Sequence, residues 1–168
     1  MQEWTASPSL REHMESVAAC MRAYARTGAP GDADRWFIAG LLHDMDYERH
    51  PTPQEHPSVG VAHLKSIGVD EEICDAIMGH TDHTGATRTT PMAKTLFAVD
   101  ELAGFIVACA KVRPNGISDL EPKSVKKKLK DRAFAAAVSR DDIARGIAEL
   151  GVDETTHIQL CIDAIRAK

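Results

Sequence analysis

Helix punctuation recurs along the whole chain, and no stretch alternates apolar and polar residues long enough to make a half-buried strand. That restricts the fold to packed helices. Ser7-Pro8 places a capping hydroxyl before a proline at the first helical position, predicting a helix to about Arg26 that stops at Gly28. Asp32 opens a second helix through Trp36, Ile38, Leu41 and Leu42, ending near Asp44. The stretch from Met45 to Ser58 contains Pro51, Pro53 and Pro57 and reads as a loop, followed by a short helix over Pro57 to Ser66.

Gly68-Val69-Asp70-Glu71 ends that helix and caps the next, which runs to about His80. The same four letters return at Gly151 to Glu154 between unrelated flanks, so one helix–helix turn is used twice. Thr81 to Thr90 is a polar loop, and Pro91 starts a long, very apolar helix to about Lys111. Arg113-Pro114-Asn115-Gly116 is a turn. Three tail helices are expected near Ser124, Ser139 (with Asp142 completing a capping box) and Asp153. The expectation is an all-α bundle of about eight helices in one domain over residues 1–168, with a core at about 7–111 and a helical extension at about 112–168.

Aromatics make up only 5% of the residues, so the core must come from Leu, Ile, Val, Ala and Met, and the many alanines suit closely packed helices. A net charge of −5 gives the molecule no overall electrostatic footprint for nucleic acid, which is not an expected partner. Cys20, Cys74, Cys109 and Cys161 are far apart and lie among apolar residues, so they read as buried free thiols of a reducing compartment. Met1-Gln2-Glu3-Trp4 lacks the basic and apolar regions of a secretory signal, and the run Phe105 to Ala110 is too short to span a bilayer. A cytoplasmic protein without a membrane partner is expected. No sequence feature sets an oligomeric state.

The informative residues are polar ones on apolar stripes. His13 has Leu10 three before it and Val17 four after. His43 follows Trp36, Ala39 and Gly40 at helical spacing, and His80 follows Ile73 and Ile77. Asp100 shares a face with Leu96, Phe97, Ala103 and Gly104. A carboxylate on such a face needs a cation: a metal, an arginine or a histidine. Hydrogen bonding in the core explains any one of these histidines, and a salt bridge explains Asp100. Their concurrence with an adjacent His-Asp at a helix end is what those readings leave out, because helical bundles build metal sites from inward side chains of several helices.

The order His13, His43-Asp44, Asp100 resembles the H…HD…D signature of the HD superfamily. Gly40 to Tyr47 and Ala98 to Leu102 are similar to short stand-alone bacterial HD (HDIG-type) proteins, and the similarity extends to Ser124 to Lys128 in the tail. His56-Pro57-Ser58-Val59-Gly60 resembles the His-Pro-x-x-Gly segment of HD-GYP phosphodiesterases, whose histidine binds a second metal, and Gly79 to His83 resembles the ligand helix that follows. The Gly-Tyr-Pro element is missing, so cyclic-dinucleotide activity is not implied.

The resemblance implies a metal set of His13, His43, Asp44, His56, His80 and Asp100, with Asp44 able to bridge two ions. One or two divalent ions (Mn, Fe, Co, Ni, Mg or Zn) suit such His and Asp donors, and would supply a metal-bound hydroxide against a small phosphoester, which a nucleotide would satisfy. Asp46 or His83 would orient water or protonate the leaving group. Arg88, Arg113 and Lys126 are candidates to hold the phosphate. The run Lys126-Lys127-Lys128 with Lys130 reads better as a solvated helix face over Val125, Leu129 and Ala133. His50 and His157 read as surface residues and His63 as packed. Two other activities stay open: a di-iron oxygenase using all six ligands, and a non-catalytic module that binds a phosphorylated effector.

Overall fold

The computed structural model describes residues 3–168, so Met1 and Gln2 of the segment read as lacking a signal lie outside the described residues. The chain forms eight α-helices, with no strand among the described residues: α1 (Pro8–Gly28), α2 (Ala33–Leu42), α3 (Ser58–Ser66), α4 (Glu71–Gly79), α5 (Pro91–Lys111), α6 (Pro122–Leu129), α7 (Arg140–Leu150) and α8 (Glu154–Arg166). Single 3-10 turns at Pro30–Asp32 and Asp82–Thr84 complete it.

The starts follow side-chain caps, which satisfy backbone N–H groups that a helix leaves unpaired. The Ser7, Asp70, Thr90, Ser139 and Asp153 side chains each accept from a first-turn amide of the helix that follows. The turn Pro30–Asp32 delays α2 to Ala33, and α6 starts at Pro122 instead of Ser124 because proline already suits the first turn. The box at Ser139 is half formed: the Asp142 amide donates to Ser139 Oγ at 3.1 Å, while its carboxylate turns to Arg145.

Helix α5 is the axis of the bundle, packing against α1, α4, α7 and α8, while α1 also lies along α2. Two glycines permit the closest crossings. A Cβ on Gly40 would sit 2.7 Å from Ala18 Cα, and one on Gly146 would sit 2.6 Å from Ala98 Cα. Small residues therefore bring α2 onto α1 and α7 onto α5. All four cysteines are free and buried. Among the described residues, no helix is long and apolar enough to cross a membrane.

His157 corrects the expectation of a surface residue. It is fully buried on the α8 stripe with Ile158, Cys161 and Ile162. Its Nε2–H donates to Ala98 O at 3.1 Å, which leaves Nδ1 to accept from Tyr24 Oη. One imidazole thus ties α8 to both α1 and α5. His50 is half-buried, 3.2 Å from a Glu55 carboxylate oxygen, and His63 packs against Trp4 with ring centroids 4.8 Å apart.

Arg88 fastens the tail to the loop after α4. Its Nε and Nη2 donate to the two Glu149 carboxylate oxygens at 2.8 Å each, and Nη1 donates to Gly79 O and Asp82 Oδ1 at 3.0 Å. The guanidinium also lies 3.7 Å from the Phe97 ring centroid. This fork-to-fork pair is the strongest geometry available to arginine.

Candidate metal centre

Three helices bring imidazoles and carboxylates to one point. His13 comes from α1, His43 and Asp44 from the end of α2, and Asp100 from the middle of α5. His13 Nε2 lies 3.0 Å from Asp100 Oδ1 and 3.2 Å from His43 Nε2, and His43 Nε2 lies 3.3 Å from Asp100 Oδ1. Asp44 Oδ2 closes this group at 3.4 Å from His43 Nε2 and 3.6 Å from His13 Nε2.

The other Asp44 oxygen serves a second group. Oδ1 lies 3.3 Å from His56 Nε2 and 3.5 Å from His80 Nε2, and those two nitrogens are 3.2 Å apart. With metal–ligand bonds of about 2.1 Å, neighbouring donors on a tetrahedral or octahedral shell lie about 3.0–3.4 Å apart. The first group spans 3.0–3.6 Å and the second 3.2–3.5 Å, close to that spacing.

Tautomers support the fit. His43 Nδ1 is 2.8 Å from Gly40 O, His80 Nδ1 is 2.5 Å from Ile77 O, and His56 Nδ1 is 2.7 Å from Asp46 Oδ1. Each acceptor fixes a proton on Nδ1 and leaves the Nε2 lone pair pointing inward. Ring nitrogens facing one another at 3.2 Å need a proton or a metal ion between them. Burial works against charge on His43, yet Asp44 and Asp100 outweigh it and raise its pKa. Burial likewise opposes a charged His56, but Asp44 and Asp46 hold its pKa at about 9. Asp44 and Asp100 are partly buried, which disfavours their charge, and the surrounding imidazoles nonetheless keep both far below the ordinary carboxylate range. The carboxylates draw positive charge into the centre, whether proton or metal.

Asp46 has a different place from the one expected of an acid–base group. It is fully buried, with Oδ1 on His56 Nδ1 and Oδ2 accepting from the Gly60 amide at 2.6 Å. A Cβ on Gly60 would lie 2.9 Å from Asp46 Cγ, so the glycine lets α3 approach the carboxylate. Asp46 therefore orients His56 and has no free oxygen for a substrate. His83 does line the cavity over the centre, and its Nε2–H donates to His56 O at 2.7 Å.

The three expected phosphate-binding cations are elsewhere. None of Arg88, Arg113 and Lys126 lines that cavity. Arg88 is turned to Glu149 on α7. Arg113 binds Asp119, and lies about 20 Å along the helix direction from Asp100 at 1.5 Å per residue. Lys126 pairs with Glu154 of α8 at 2.7 Å.

The cavity holds about 650 Å³ and opens over both groups. Phe97, Asp100, Glu101 and Gly104 line it from one face of α5, at the offsets three, four and seven that mark a helical stripe. Glu101 was not singled out in the sequence, although its position beside Asp100 and on that stripe carried the signal. Burial first, then the charges of Asp100 and Asp142, push its pKa up to about 7. Tyr47 is a second addition: it is 46% exposed at the cavity wall, with its ring edge-on to His56.

The family model described as HD domain matches residues 10–104, more than half of the chain and all six residues of the two groups. This chain belongs to the HD domain family. No curated protein and no solved structure matches it. HD domains are metal-binding and mostly hydrolases, and the two His/Asp groups are able to hold metal ions. The HD match ends at Gly104, yet α7 from beyond it contributes Asp142 to the cavity.

Proposed function

We propose that this HD-domain protein is a phosphohydrolase that holds two divalent ions and acts on a small phosphoester. The observation that carries the reading is Asp44, whose two oxygens face separate histidine groups. A carboxylate placed so is suited to bridge two ions, with His13, His43 and Asp100 on one side and His56 and His80 on the other.

Ions held there would acidify bound water and polarise phosphoryl oxygens. The chain's own residues would do the rest. Gly40 O, Ile77 O and Asp46 orient the imidazoles of His43, His80 and His56. With no Lys or Arg on the cavity wall among the described residues, the phosphoryl group would rely on the metal centre for countercharge. His83 donates its Nε2–H to a backbone carbonyl, leaving Nδ1 to exchange a proton with the leaving group. The same six ligands also suit a di-iron oxygenase, and the element bound separates the two readings.

The test is elemental analysis of protein purified without added metal or chelator, beside Asp44→Ala and a panel of phosphomonoesters and phosphodiesters. About two equivalents of metal, lost in Asp44→Ala together with phosphate release, would support the proposal. Iron with oxygen-dependent turnover, or metal-replete protein that releases no phosphate, would overturn the hydrolase reading.

A further inference from the structure

Three acidic side chains line the cavity outside the two ligand groups: Asp82, Glu101 and Asp142. Two of them are neutralised. Asp82 pairs with Arg88 at 3.0 Å and with Arg145 at 2.6 Å, and Asp142 also pairs with Arg145. Glu101 has no Lys or Arg within ion-pair distance among the described residues. Its one hydrogen bond is from the Ser139 amide to Oε2 at 3.0 Å. Oε1 has no protein partner there, although the residue is half-buried.

Ser139 is the N-cap of α7, whose positive end favours a carboxylate, so the fold accounts for Oε2 and leaves Oε1 unused. Ser139 already caps α7 with its own hydroxyl, and the Ser139 amide would be served as well by an uncharged glutamine oxygen. A partly desolvated carboxylate oxygen with no donor is unfavourable unless a ligand supplies one. Glu101 sits on the cavity stripe of α5, directly after Asp100 and one turn before Gly104. Glu101 therefore lines the cavity over the metal centre with one oxygen unpaired.

Resting on the hydrolase reading, we infer that Glu101 recognises the non-phosphate part of the substrate by accepting from an ammonium or hydroxyl group there. The phosphoryl end would take its countercharge from the metal centre, and the other end would take an acceptor from Glu101. A cavity of this polarity disfavours polyanionic esters, because no Lys or Arg among the described residues lines it to meet a second phosphate.

The experiment compares ethyl phosphate, hydroxyethyl phosphate and aminoethyl phosphate with the metal-loaded protein, following phosphate release and, by calorimetry, binding. Glu101→Gln keeps an acceptor for the Ser139 amide, and Glu101→Ala removes it; metal content is measured for each. The expected result is a kcat/KM about tenfold or more higher for a donor-bearing ester than for ethyl phosphate, collapsing towards equality in both variants. Whether aminoethyl or hydroxyethyl phosphate leads identifies the donor. Equal turnover of all three esters by the wild type, or a preference that survives both variants with metal intact, overturns the inference and leaves the hydrolase reading standing. Discriminating binding without phosphate release, lost in the variants, upholds Glu101 and removes the hydrolase reading. Neither binding nor release with metal bound overturns both.

Discussion

Asp46 Oδ1 accepts from His56 Nδ1 at 2.7 Å, and this bond decides which nitrogen of His56 meets Asp44. One residue separates the carboxylates in sequence, yet Asp44 faces the centre while Asp46 stands behind one of its histidines. Asp46→Asn should therefore weaken the group of Asp44, His56 and His80 by about 10–100-fold in metal affinity, sparing the group around His13. Gly60→Ala should act in the same direction by displacing Asp46. Metal titration with a competing chelator, read for two sites, checks both, and equal loss at the two sites would contradict this role.

Arg88 is expected to matter for stability more than for phosphate. Removing it leaves Glu149 and Asp82 without their shared cation and frees α7 from the loop that follows His80. Arg88→Ala should cost about 1.5–3 kcal/mol in denaturant unfolding, with the loss falling chiefly on stability and not selectively on KM for a phosphoester.

Gly146→Ala tests the close crossing of α7 on α5. The added methyl would meet Ala98 Cα at 2.6 Å, and relief requires the helices to part. A loss of about 1–3 kcal/mol is expected from such overpacking, read as a lower Tm. Because α7 carries Asp142 to the cavity, substrate selectivity should change with it.

His157 predicts a pH dependence. Burial lowers its pKa below the ordinary histidine value, and the bond to Ala98 O offsets that only in part. The unfolded chain then binds the proton more readily than the folded one. Stability contributed by neutral His157 is present above about pH 6.5 and falls as pH drops from there through the folded pKa. The histidines of the metal centre shift the other way in metal-free protein, so the difference between wild type and His157→Gln is the quantity to follow. That difference should shrink between pH 8 and pH 5; a constant difference would show that His157 does not titrate with folding.

The sequence by itself determined the helices and most of the residues that converge on the candidate metal centre. Caps, prolines and glycines act over three or four residues, so Ser7-Pro8, Thr90-Pro91 and the repeated Gly-Val-Asp-Glu could be read without knowing the fold. Inward-facing His13, His43, His80 and Asp100 were legible because helical periodicity fixes which side of a helix a residue occupies. His56 needed the resemblance, since a loop has no such period. Only the tertiary structure decided how charges pair across elements. Arg88 and Arg113 are chemically apt for phosphate, but Glu149 and Asp119 reach them first. Glu101 was overlooked beside Asp100 because its meaning lies in the lack of a cationic partner, which no local pattern records. Asp46 and His157 took their roles from Gly60 and Ala98, fourteen and fifty-nine residues away. Burial and partner choice depend on which helices meet, and that is set by the packing of the whole chain.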